Sequence, residues 1–141
     1  MTDPLRWLPL LLGLMLGLGC SGRDPSLPKT TPVSGVVTYR GKPIERGTIA
    51  FFPKQGERPA GGQLGPGGRF TLTTFTQGDG AVLGPHAVTI ESFGDGDDVS
   101  TGKRSSGFDR LVPAKFSDLA LTPLSVDVVE PMPALSLELQ D

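Results

Sequence analysis

Leu124-Ser125-Val126-Asp127-Val128-Val129, followed by Leu135-Ser136-Leu137-Glu138-Leu139, decides the fold class. In both runs apolar and polar residues alternate, the two-residue period of a strand with one face buried and the other wet. A helix of the same length would group its apolar residues three and four apart. Working back along the chain, the same kind of short extended run recurs. Val33-Ser34-Gly35-Val36-Val37-Thr38-Tyr39 is rich in β-branched residues, and Arg40-Gly41-Lys42-Pro43 turns the chain after it. Gly47-Thr48-Ile49-Ala50-Phe51-Phe52 forms the next strand, closed by Pro53. Gly65-Pro66-Gly67-Gly68 is a tight turn whose glycines can take positive φ, and Arg69-Phe70-Thr71-Leu72-Thr73 leaves it as a strand. His86-Ala87-Val88-Thr89-Ile90-Glu91 is another, with Val88 and Ile90 facing inward.

These runs predict an all-β domain, a seven- to eight-stranded antiparallel β-sandwich over residues 33–141. The expected core is Val37, Ile49, Phe51, Phe70, Leu72, Val88, Ile90, Val126, Val128, Leu137 and Leu139. Residues 54–61 and 93–110 read as polar loops, residues 74–85 as a Gly-rich connection, and residues 111–116 as a segment that packs back onto the body. Composition agrees. The 141 residues include 20 Gly and 14 Pro, which disfavour helix, while 37% hydrophobic residues are too many for a disordered chain.

The first 19 residues have a different character. Arg6 precedes an almost purely apolar run from Trp7 to Leu18. That run is about a dozen residues, against the ~20 needed to span a bilayer, so it reads as a cleaved export signal. Cys20, the only cysteine, lies where the apolar run gives way to Ser21-Gly22-Arg23-Asp24-Pro25. Residues 20–32, with Pro25, Pro28 and Pro32, suit a semi-rigid extended tether.

Leu16-Gly17-Leu18-Gly19-Cys20 resembles the lipobox of bacterial lipoproteins, with Gly17 where that family usually places a large aliphatic residue. The resemblance implies lipidation of Cys20, cleavage before it, and attachment to a membrane of the cell envelope, with the outer membrane favoured by Ser21. The body resembles the carboxypeptidase regulatory-like, or transthyretin-like, domain. The matching pieces are Val33-Ser34-Gly35-Val36-Val37, Gly41-Lys42-Pro43-Ile44, Gly47 to Pro53, Gly67-Gly68-Arg69-Phe70-Thr71-Leu72, Gly84 to Ile90, and Leu111-Val112-Pro113-Ala114-Lys115-Phe116. They span residues 33–140 in the family's order.

Catalytic chemistry is hard to assemble from these residues. His86 is the single histidine, too few for a zinc site once Cys20 is lipidated, and no nucleophile can be assigned to it. It reads as a polar residue at a strand entry. Two enzyme families on related folds fail by census: intradiol dioxygenases use two His and two Tyr on iron, and this chain has one of each. Hydroxyisourate hydrolases use more than one His and a C-terminal Tyr-Arg-Gly-Ser, whereas Tyr39-Arg40-Gly41 here ends in Lys42 and reads as a turn. A net charge of −2 with no basic stripe argues against nucleic acid.

The expectation is a non-enzymatic, lipid-anchored envelope module, without cofactor or metal, whose partner is an envelope protein or glycan met through the loops at 54–62 and 93–110. The alternative is a calcium-dependent, carbohydrate-binding or small-ligand module using Asp95, Asp97 and Asp98, since acidic residues alternating with glycine can offer several oxygens to calcium.

Overall fold

The computed structural model describes residues 24–94, 97–98, 103–104 and 110–141. The described chain is mostly strand, with two short 3₁₀ turns, Pro66–Gly68 and Ala114–Phe116. The strands run β1 (Thr30–Thr31), β2 (Ser34–Tyr39), β3 (Lys42–Pro43), β4 (Gly47–Pro53), β5 (Ala60–Leu64), β6 (Arg69–Thr71), β7 (Ala81–Val82), β8 (Gly84–Glu91), β9 (Asp97–Asp98), β10 (Lys103–Arg104), β11 (Ser125–Val128) and β12 (Leu135–Leu139).

One four-stranded sheet has the order β11-β8-β4-β5, antiparallel throughout. In the other, β2 is central, with β12 on one side and both β3 and β6 on the other. Two-stranded antiparallel pairs, β1–β7 and β9–β10, complete the pairing.

Alternation predicts the buried face well. Val37, Ile49, Phe51, Phe70, Leu72, Val88, Ile90, Val128 and Leu139 are all buried in one cluster drawn from both larger sheets. Val126 and Leu137 are only half-buried against that cluster. They lie on β11 and β12, each at the edge of its sheet, where a side chain has neighbours on one side only. Val112 and Phe116 are buried too, so the segment after residue 110 does pack back onto the body.

Four details depart from the sequence reading. The first concerns direction: β12 pairs with β2 in parallel, Leu135 opposite Gly35 through Leu139 opposite Tyr39, where an antiparallel strand was expected. Alternation reports which face is buried and carries no information on strand direction. Gly35 permits the pairing, because a Cβ there would lie 2.4 Å from the Leu135 carbonyl oxygen.

The second is the tether. It was expected to run to Pro32, but Thr30 and Thr31 pair with Val82 and Ala81 and are buried. The same pairing places β7 inside the Gly-rich connection of residues 74–85.

The third concerns the loop expected at 54–62, which ends at Pro59 because β5 begins at Ala60. Gly61 and Gly62 are strand residues because another backbone passes close by. The Gly61 amide donates to the Thr73 carbonyl at 3.0 Å, and a Cβ on Gly62 would stand 2.6 Å from Thr71 O. The fourth departure is His86, treated with the site below.

Candidate functional site

The turn after β2 carries the main concentration of chemistry. Arg40 and Gly41 both have positive φ, 50° and 76°, as the two central residues of a two-residue hairpin turn between β2 and β3 require. Glycine accepts this without cost; arginine does not, and a left-handed conformation costs about 1–2 kcal/mol for a residue with a Cβ. What Arg40 gains is position. Its guanidinium lies 5.1 Å from the centroid of the Tyr39 ring, and its Nε donates to the Asp141 carboxylate at 2.9 Å. Nη2 of Arg40 donates to the same carboxylate oxygen, and the Tyr39 hydroxyl donates to the other at 2.6 Å. Three donors therefore converge on one carboxylate, from residues about a hundred positions away in sequence.

The hydrogen bond from Tyr39, followed by those from Arg40, holds the Asp141 carboxyl below its ordinary value of 3.8. The same contacts raise the pKa of Tyr39 and of Arg40, in each case chiefly through the hydrogen bond with Asp141. A carboxyl with a lowered folded-state pKa contributes stability above its unfolded value, and loses it as pH falls through the folded value. Asp141→Asn is therefore expected to melt slightly below the parent at pH 7. The gap should close as pH falls from 3.8 to below the depressed value. Thermal melts of both chains from pH 7 to pH 2 check this; a gap that persists at the acid end would mean the contact does not depend on the charge. The groups are exposed, so the effect is small.

Beside this cluster lies an open cavity of about 670 Å³. Its lining includes the polar Tyr39, Arg40, Lys42 and Arg46 and the apolar Ile44 and Leu111. Glu45 is the one acidic residue of the lining, and its Oε1 accepts from the Gly67 amide at 2.9 Å. That bond ties the β3–β4 connection to the Pro66–Gly68 turn. Arg46 is fixed through its backbone, whose carbonyl accepts from the Ser92 hydroxyl at 2.5 Å.

His86 does not stand at the entry of its strand. It is the third residue of β8, its exposure is 0%, and its ring stands 5.9 Å from that of Phe51. Nδ1 is 2.9 Å from the Gly84 carbonyl, which can only accept, so Nδ1 carries the proton. Nε2 is buried and has no hydrogen-bond partner among the described residues. The two-residue period holds the explanation: His86 shares its strand face with Val88 and Ile90, so the face that buries them buries the imidazole.

Of the acidic loop, Asp95 and all side chains of residues 95–109 lie outside what the structure describes, as does Cys20. The described backbone pairs Asp97 with Arg104 and Asp98 with Lys103. The loop springs from a closed neck: Phe93 and Arg110 form a bridge, the Arg110 guanidinium lies 5.4 Å from the Phe93 centroid, and the Leu111 amide donates to Ser92 O at 2.9 Å. Among the described residues no three His, Cys, Asp or Glu side chains are grouped to hold a metal ion, and no helix is long and apolar enough to cross a membrane.

Comparison with known proteins finds no matching family model, no matching curated protein and no matching solved structure.

Proposed function

We propose that this chain is a lipid-anchored module of the bacterial cell envelope, exported by residues 1–19, acylated on Cys20, and built as a transthyretin-like β-sandwich that contacts an envelope protein or glycan without catalysing a reaction. The observation that carries the proposal is the order of segments. An apolar run too short to span a bilayer ends at the chain's only cysteine, a Pro-spaced polar stretch follows, and strand structure begins at Thr30. Two acyl chains give stable membrane attachment where one gives marginal attachment, so a diacylated or triacylated Cys20 suffices without a spanning helix. The nine residues between Cys20 and Thr30 extend to at most roughly 30 Å, a short leash that keeps the domain at the surface of the lipid.

The sandwich reading draws support from the single buried cluster that both larger sheets feed. Residues 54–59 and 93–110 form the contact surface, because connections between strands carry recognition on a rigid scaffold.

Cys20→Ser is the test. The parent chain is expected in the membrane fraction of a bacterial host, incorporating labelled palmitate. The variant is expected to incorporate no label and to leave the membrane fraction. Equal labelling of the two, or unlabelled parent chain in the soluble fraction, would overturn the proposal.

A further inference from the structure

The end at which the chain enters the fold carries exposed apolar side chains that the core does not use. β8 runs from Gly84, opposite Val128, to Glu91, opposite Thr48. Its eight residues set the two ends of the antiparallel sheet roughly 23 Å apart. At the Gly84 end stand β7, the β1 strand paired with it, and the connection that follows Val128.

Asp24 to Leu27 forms a turn before β1. The Leu27 amide donates to Asp24 O at 3.1 Å, and the Asp24 carboxylate accepts from the Ser26 amide at 2.9 Å. Lys29 then forms an ion pair with Glu130, and the Leu83 amide donates to Lys29 O at 3.4 Å. The ion pair joins the segment that carries Leu27 to the one that carries Val129. Leu27 is 37% exposed and Val129 48%.

We infer that this end of the domain seats on the lipid surface, with Leu27 and Val129 as its apolar contacts. The inference rests on the anchored-module reading and adds that the folded body, besides the acyl chains, touches the membrane. Chain length selects the bilayer as occupant. Asp24, the first residue of the turn, is four residues after Cys20, and four residues reach at most roughly 14 Å. Acyl chains on Cys20 lie in hydrocarbon, beneath a headgroup layer of roughly 5–8 Å. The leash therefore has little slack above that layer.

Tethering also lowers the demand on the contact itself. A group on a short linker meets its site at an effective concentration of about millimolar, so fewer contacts are needed than for a free domain. The opposite end of the sheet lacks this proximity. Leu111, as exposed as Val129 at 48%, donates its amide to Ser92 O just beyond β8. The 93–110 connection leaves from that end and points away from the lipid. Residues 54–59 follow Pro53, which pairs with His86, and share the lipid-side end.

The test places a nitroxide on one introduced cysteine in the acylated chain, where the sulfur of Cys20 is already alkylated and does not react. Leu27→Cys, Val129→Cys and Leu111→Cys are compared in liposomes of phosphatidylethanolamine and phosphatidylglycerol. All three positions are exposed, so the label is tolerated. Relative to position 111, collisions with oxygen, which concentrates in lipid, are expected to rise at positions 27 and 129. Collisions with a water-soluble nickel chelate are expected to fall there. Equal nickel access at positions 129 and 111, in a chain whose mass shows acylation, would overturn the seating and leave the anchor standing. A chain whose mass shows no acyl group would overturn the anchor, and the seating with it. Dipolar broadening between labels at position 129, lost on dilution with unlabelled chain, would assign the patch to a second copy and overturn the lipid contact.

Discussion

Phe51→Ala is expected to lower the free energy of unfolding by about 3–5 kcal/mol, the usual cost of removing a large aromatic side chain from a packed interior. Phe51 is at 0% exposure on β4, which lies between β8 and β5 in its sheet. Its ring is 6.4 Å from that of Phe70, tilted by 44°, and 5.9 Å from His86, tilted by 51°. Because β4 and β6 belong to different sheets, the contact with Phe70 joins the two.

A fold of this size has about 0.05–0.15 kcal/mol of stability per residue, so the loss is a large fraction of the total. Urea unfolding should show the midpoint falling with the slope unchanged. Phe51→Leu, which keeps most of the volume, should cost much less and keep the chain folded if the alanine variant does not fold. A loss under about 1 kcal/mol for the alanine variant would mean the two sheets are not joined through this ring.

The second large effect is expected at Gly80. Its φ is +86°, and a Cβ built there would lie 1.7 Å from the Thr31 carbonyl oxygen and 2.5 Å from the carbonyl carbon. Both atoms are backbone, so no side chain can swing aside. Gly80→Ala must push β1 away from β7 and disturb two bonds that fix the turn: Gly80 N to Leu72 O at 3.1 Å, and Thr74 Oγ1 to Gly80 O at 2.7 Å.

Gly78 provides the control. Its φ of +74° is similar, but a Cβ there meets nothing within 4 Å. Gly78→Ala should cost only the backbone term, about 1–2 kcal/mol. Gly80→Ala should add the cost of overpacking, about 1–3 kcal/mol more, with faster hydrogen exchange at the amides of the β1–β7 pair. Equal losses at the two glycines would show that the close approach of residues 31 and 80 does not hold in solution.

Both effects bear on how much could be read in advance. Phe51 was legible, since alternation through Ile49 and Phe51 marks one face and the largest apolar residue on it dominates the packing. The partner ring, Phe70, was legible as a core residue, but its contact with Phe51 was not. Gly80 was legible only as part of a turn; its need to lack a side chain comes from Thr31, which the sequence places in a tether. The burial of His86 could have been found, because it stands two residues before Val88 on the same face, yet it reads only as a polar residue at a strand entry. The cavity offers no such signal. Tyr39-Arg40-Gly41-Lys42 reads as a turn, and it is one. Nothing local announces that Asp141 closes on its first two residues, or that Arg46 and Leu111 wall the space beside it.

The pattern of side chains along the chain by itself determined that the body is built of strands, which faces of those strands are buried, and where glycine must turn the backbone. These properties depend on residues one to four apart, and short-range stereochemistry settles them. Tertiary structure alone decided that β12 runs parallel to β2, that Thr30 and Thr31 join the fold, that the imidazole of His86 is enclosed, and that Asp141 closes on Tyr39 and Arg40. Each of these depends on backbones or side chains distant in sequence meeting in space, and alternation, which reports a face and not a neighbour, is blind to them.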